Sequence, residues 1–107
     1  MKRYGQIIKL KPEKYEEYKK LHAAAWTKVL DMIRECNIRN YSIYHRDGFL
    51  FAYFEYVGEN FEADMAKMAA DKTTQEWWKC TDPCQQAIDT ASKGEWWSNM
   101  EELFHTD

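Results

Sequence analysis

The chain is 107 residues long, 45% hydrophobic, 16% aromatic and 31% charged, with fifteen basic against eighteen acidic side chains and a net charge of -3. That length fits one domain, residues 1–107, with one core, and four Gly with two Pro argue against a linker-rich or disordered chain. The two charge signs are interspersed and Lys19-Lys20 is the largest basic cluster, which argues against nucleic acid as a partner.

Arg3–Leu10 alternates, with Tyr4, Gln6, Ile8 and Leu10 on one side, and predicts a strand. Pro12 and Glu13 then suit a helix start, and the spacing is helical to about Cys36. Tyr15, Tyr18, His22, Ala25, Trp26, Val29 and Ile33 fall within an arc of roughly 100°, opposite Glu16, Lys20 and Lys28. Asn40–His45 and Phe49–Tyr56 are β-rich runs joined by Arg46-Asp47-Gly48, a hairpin signal because a tight turn needs residues that tolerate positive φ. Asn60 is a candidate N-cap for a second helix over Phe61–Ala70, whose apolar stripe is Phe61, Met65, Met68 and Ala69. Thr73–Ile88 suggests one or two short helices around Trp77-Trp78, interrupted at Asp82-Pro83, and Asn99–His105 is taken as a last strand on topological grounds.

The resulting order, βαββαβ, predicts an α+β, ferredoxin-like antiparallel sheet with helices on one face. Apolar residues on both alternating faces of the hairpin predict that the second face is also covered. A face-to-face homodimer, a dimeric α/β barrel, would cover it. The longest uncharged apolar run, Phe49–Phe54, is far short of the ~20 residues that a membrane-spanning helix needs. The first residues lack the apolar stretch of a signal peptide, and Cys36, Cys80 and Cys84 cannot all pair. A soluble, reduced, cytoplasmic protein is expected.

His22 is the most informative residue, because its place on the apolar stripe points an imidazole at the sheet, one turn after Tyr18. It is either a core histidine satisfied by one hydrogen bond or a buried acid/base group. Five Trp, seven Tyr and five Phe exceed the needs of one small core. In each pair, Trp77-Trp78 and Trp96-Trp97, one neighbour must point away from the other. Indole and phenol groups suit a sugar ring, with its apolar C–H face and hydroxyl rim, although for Trp96-Trp97 packing in the core and a dimer interface is the preferred reading. No metal site is expected, since Cys80-x3-Cys84 lacks a second ligand pair. No Gly-rich phosphate loop or nucleophile elbow is present, and Cys36 lies about 21 Å along a helix from His22, too far for a Cys–His couple.

Pro12, Glu17-Tyr18-x3-His22-x3-Trp26, Asn40-Tyr41-Ser42-Ile43-Tyr44, Leu50-Phe51-Ala52, Trp77-Trp78-Lys79 and Glu102-Leu103-Phe104-His105, in that order, resemble the L-rhamnose mutarotase family over nearly the whole chain. The resemblance implies a homodimeric isomerase that interconverts the anomers of a 6-deoxyhexose without cofactor or metal. It also implies that His22 is the catalytic proton donor and that Tyr18, Tyr41, Trp77 and Trp78 contact the sugar. The general base is left open, with Asp71 or a water as candidates. Ala23-Ala24-Ala25-Trp26-Thr27 departs from the family's usual run beside the histidine, which keeps L-fucose as an alternative substrate. A dimeric ferredoxin-like monooxygenase and a non-catalytic sugar-binding module are the further alternatives.

Overall fold

In the computed structural model, which describes residues 1–107, the first strand β1 (Lys2–Leu10) leads through a 3-10 turn at Pro12–Lys14 into helices α1 (Tyr15–Ala23) and α2 (Thr27–Glu35). The hairpin β2 (Ile38–Arg46) and β3 (Phe49–Tyr56) follows, then α3 (Phe61–Ala70) and α4 (Lys72–Thr81). A 3-10 turn at Asp82–Cys84 and two short strands, β4 (Gln85–Gln86) and β5 (Ser98–Asn99), complete the chain. Every pairing is antiparallel and the sheet order is β2-β3-β1-β4, with β5 also on β1. This is the ferredoxin-like order, with its last strand split into two pieces along one edge of β1.

The hairpin turns where Asp47 (φ 54°) and Gly48 (φ 80°) both enter the left-handed region, the backbone that a two-residue primed turn requires. Along β3, Leu50, Ala52, Phe54 and Tyr56 are buried and their neighbours are not. The period of two therefore puts one sheet face under the helices. Ile8, Leu10, Tyr18, Leu50 and Cys84 form one apolar cluster. Ile38, Phe54 and Tyr56 form a second, closed over by Tyr4, Ile33, Phe61, Met65 and Met68. Asn60 caps α3 by accepting from the Ala63 N–H at 3.0 Å, as its sequence position predicts.

Two expectations change and a third narrows. The predicted helix to Cys36 is two helices, because Ala24 (φ -129°, ψ 46°) and Trp26 (φ -70°, ψ 132°) leave helical geometry. Alanine is the strongest helix former, so local preference does not explain the break. Trp26, edge-on to Trp77 at 5.2 Å, shows tertiary packing overriding it. Thr73–Ile88 contains one helix, which ends at Thr81 just before the Asp82–Cys84 turn, where Pro83 has no N–H to continue it. The last strand is only Ser98–Asn99. Beyond it, Met100 N donates to Gly5 O at 2.7 Å and Glu102 pairs with Arg3 at 2.8 Å. Leu103 and Phe104 are more than 80% exposed, so no buried face selects a strand register there. No helix is long and apolar enough to cross a membrane.

Candidate functional site

The helical face of the sheet is only partly filled. Between it and helices α1, α2 and α4 lies a cleft of two lobes, of about 510 and about 530 Å³, each within the range of small-molecule sites. Tyr18, His22, Val29, Ile33, Tyr41, Ile43 and Trp77 line both lobes. The predicted stripe is thus the wall of a cleft more than the seam of a core. The break between α1 and α2 brings Ala25 into the outer lobe, beside Val29 and Leu30.

His22 lies in the last turn of α1, with Nδ1 2.9 Å from the carbonyl oxygen of Tyr18 one turn earlier. A carbonyl can only accept, so Nδ1 carries the proton of this bond. That fixes the tautomer and leaves Nε2, which has no protein partner, to take or give a proton. The imidazole is held between two rings, Tyr18 at 4.2 Å and Trp77 edge-on at 5.3 Å between centroids.

The Tyr18 hydroxyl is reached from the far end of the chain. Gln85 Nε2 donates to it at 3.0 Å, and Gln85 Oε1 accepts from the Trp96 indole N–H at 3.0 Å. Both halves of this buried amide are therefore satisfied, which fixes its orientation. Tyr18 accepts from Gln85, and its own O–H has no protein acceptor. Burial drives the Tyr18 phenol well above its ordinary value, despite the Gln85 bond that favours the anion. The group stays a neutral hydrogen-bond donor.

Tyr41 reaches the cleft through a bulge in β2. Arg39 pairs with Glu55 and Ser42 with Tyr53, so β2 carries one extra residue opposite Phe54. Asn40 absorbs it at φ 51°, and its side chain donates to Glu55 Oε1 at 2.7 Å. The extra residue resets the alternation and turns the Tyr41 ring to the helical face, 5.6 Å from Phe54. Tyr41 leaves 42% of its surface exposed, yet desolvation at its hydroxyl end pushes the phenol up to about 12.

All five predicted site residues line the inner lobe. Trp77 is buried and packs on His22 and Trp26, whereas Trp78 is 37% exposed at the rim. Asp71 does not join them. It accepts from both the backbone N–H and the hydroxyl of Thr74 at 2.9 Å as the N-cap of α4, and it lines neither lobe. Its candidacy as the base is withdrawn. Gln6, Asp82, Gln85, Trp96 and Trp97 also line the inner lobe. No spacing pattern marks them, because Gln6 comes from the neighbouring strand β1 and the other four are brought to α1 from near the end of the chain by strand pairing and a turn. Trp96 and Trp97, read from sequence as core and dimer-interface residues, line the cleft, and Trp97 also packs on the first apolar cluster. Cys84 is buried beside Glu17 Oε2, 3.4 Å from its sulfur, and burial pushes its thiol up to about 11. No three His, Cys, Asp or Glu side chains converge as metal ligands would.

Comparison with known proteins gives the family. The family model of L-rhamnose mutarotase matches residues 3–106. An L-rhamnose mutarotase of Oceanobacillus iheyensis is 31% identical over 109 residues, covering 100% of both chains. That of Bacillus subtilis is 35% identical over 85 residues, covering 78% of this chain and 79% of its own. Among solved structures, an L-rhamnose mutarotase from Formosa agariphila superposes with a TM-score of 0.79 at 19% identity, covering 100% of both chains. Tetracenomycin F2 cyclase from Streptomyces glaucescens shares the fold at a TM-score of 0.72 and 11% identity, over 100% of this chain and 98% of its own. The match of nearly the whole chain to one family model, with relatives above 30% identity along it, places this protein in the L-rhamnose mutarotase family.

Proposed function

We propose that this protein is an isomerase that interconverts the α and β anomers of L-rhamnose by acid-assisted ring opening in the cleft around His22. One observation carries the reading beyond family membership. The Nδ1–H bond to the Tyr18 carbonyl orients the imidazole so that Nε2 is free within a cleft of monosaccharide scale.

Mutarotation needs a proton delivered to the ring oxygen and one removed from the anomeric hydroxyl. The C1–O5 bond then opens to an aldehyde, and rotation about C1–C2 lets either face reclose. Protonated His22 supplies the first proton from Nε2. Tyr18, neutral and with its O–H unengaged, donates to a sugar oxygen, Tyr41 hydrogen-bonds a second, and the indoles of Trp77 and Trp78 cover the apolar face of the ring. One positioned acid is worth typically 10²–10⁴-fold. The free enzyme works as a cytoplasmic homodimer in this reading. Three unpaired cysteines suit a reducing compartment, and the sheet face opposite the helices suits a second copy.

Saturation-transfer NMR tests the proposal by saturating one anomeric proton of L-rhamnose and following the other, with L-fucose in parallel. Acceleration with L-rhamnose is expected, with a loss of roughly 10²-fold or more in His22→Ala. A folded His22→Ala that keeps most of the rate would remove the histidine from the mechanism. Faster exchange with L-fucose would reassign the substrate.

A further inference from the structure

The reaction moves two protons, and His22 accounts for one. We propose that Asp82 is the second proton-transfer group, taking the proton of the anomeric hydroxyl while His22 protonates the ring oxygen. This inference rests on the mutarotase reading.

Four residues with titratable side chains line the inner lobe: Tyr18, His22, Tyr41 and Asp82. The two phenols are held neutral by burial, which suits donors and not bases. Neither lobe is lined by any other carboxylate. Asp82 is also free of structural duty of the kind that occupies Asp71. It is in no ion pair, whereas Lys79 nearby pairs with Glu76 at 3.1 Å, and Lys9 pairs with Asp89 at 2.8 Å. Its carboxylate is thus left without a cation or a capping bond at the mouth of the cleft, open to a ligand.

Its placement is firm. Asp82 caps α4, its backbone N–H reaching the Trp78 carbonyl, and it opens the 3-10 turn whose next residue is Pro83. Gln85 N–H closes that turn on the Asp82 carbonyl. The carboxylate is therefore mounted on the same turn that carries Gln85 to Tyr18. Although Asp82 stands at the exposed mouth of the cleft, desolvation raises its carboxyl above the ordinary value, partly offset by the nearby Trp96 indole N–H, whose hydrogen bond goes to Gln85. A more basic carboxylate is a better proton acceptor.

The step balances. In ring opening, His22 Nε2–H protonates O5, the Asp82 carboxylate takes the O1 proton, C1–O5 breaks and C1=O1 forms. The neutral imidazole and the protonated Asp82 then face the open aldehyde. After rotation about C1–C2, the O5 hydroxyl attacks the other face of C1. Its proton returns to His22, Asp82 returns its proton to O1, and both groups are restored with no net proton exchanged.

Anomer exchange is measured by saturation transfer across L-rhamnose concentrations, and sugar binding by fluorescence of the cleft tryptophans. The proteins compared are the unmodified chain, Asp82→Asn, Asp82→Glu and the surface control Asp89→Asn, each checked by thermal melting. Asp82→Asn should lose roughly 10²-fold in kcat while binding the sugar within about threefold. Asp82→Glu should regain part of the rate, and Asp89→Asn should match the unmodified protein. Asp82→Asn at full kcat, or a loss confined to KM, overturns the assignment of Asp82 and leaves the mutarotase reading standing. An unmodified protein that does not accelerate exchange overturns both.

Discussion

The imidazole of His22 owes its tautomer and orientation to a carbonyl one turn away, and the two phenols owe their neutrality to burial. Tyr18 and Tyr41 both resist ionisation because the anion would have to leave water. The sign of the resulting pH dependence follows directly. In the unfolded chain a phenol ionises near its ordinary value of about 10, whereas folded Tyr41 holds its proton up to about 12 and Tyr18 beyond that. Between those values the folded state binds more protons than the unfolded, so stability falls as pH rises. The stabilisation is complete below about pH 10 and is lost as the pH climbs toward the folded value. Urea midpoints should drop between about pH 10 and about pH 12, and the drop should shrink in Tyr41→Phe. Equal drops in the two proteins would show that Tyr41 is solvated and titrates freely.

Among the elements, the bulge in β2 links sequence to site most directly. Asn40 is the residue that makes Tyr41 face the cleft, because it accepts φ 51° where the strand takes its extra residue. Left-handed backbone costs an ordinary L-residue about 1–2 kcal/mol, and most for a β-branched side chain, whereas glycine tolerates it. Asn40→Val should therefore lower stability by about 1–2 kcal/mol in denaturant unfolding and raise KM several-fold by misaiming Tyr41. Asn40→Gly should leave both nearly unchanged. Identical behaviour of the two variants would detach the bulge from the aim of Tyr41. The sequence shows why part of this site was legible. Tyr18 and His22 share a helix face, and period and spacing record that directly. Tyr41 was legible only through family resemblance, since the bulge breaks the strand's period of two. Asp82, Gln85 and Trp96 left no local trace, because their place beside Tyr18 is set by β4 pairing with β1 and by the turn at Pro83. The same limit applied to the first helix. Its residues face one way on both sides of the break, so periodicity ran straight through a gap that only the packing of Trp26 on Trp77 creates.

At the scale of the whole molecule, one sheet face remains without helices. The alternation that buries Leu50, Ala52, Phe54 and Tyr56 leaves Phe49, Phe51 and Tyr53 of β3 on the opposite face. Ile7 of β1 and Tyr44 of β2 join them by register. Tyr44 is 67% exposed. The accessible surface of the chain is 7573 Å², against about 6300 Å² expected of a monomer of this mass. The open cleft, the exposed C-terminal residues and this bare sheet face all contribute to the excess. A second copy laid face to face would cover these aromatics, and their apolar character is what supports the proposed homodimer. Phe51 pairs with Ile7 and Tyr44 across neighbouring strands, so it sits at the centre of the patch. It lines neither lobe of the cleft. Phe51→Glu places a charge where burial would be needed. Sedimentation velocity at micromolar concentration should show a dimer for the unmodified chain and a monomer for Phe51→Glu. The monomer should keep its helical circular-dichroism signal, because the helical face of the sheet is untouched. A monomeric unmodified chain would refute the dimer and assign the open face to some other role.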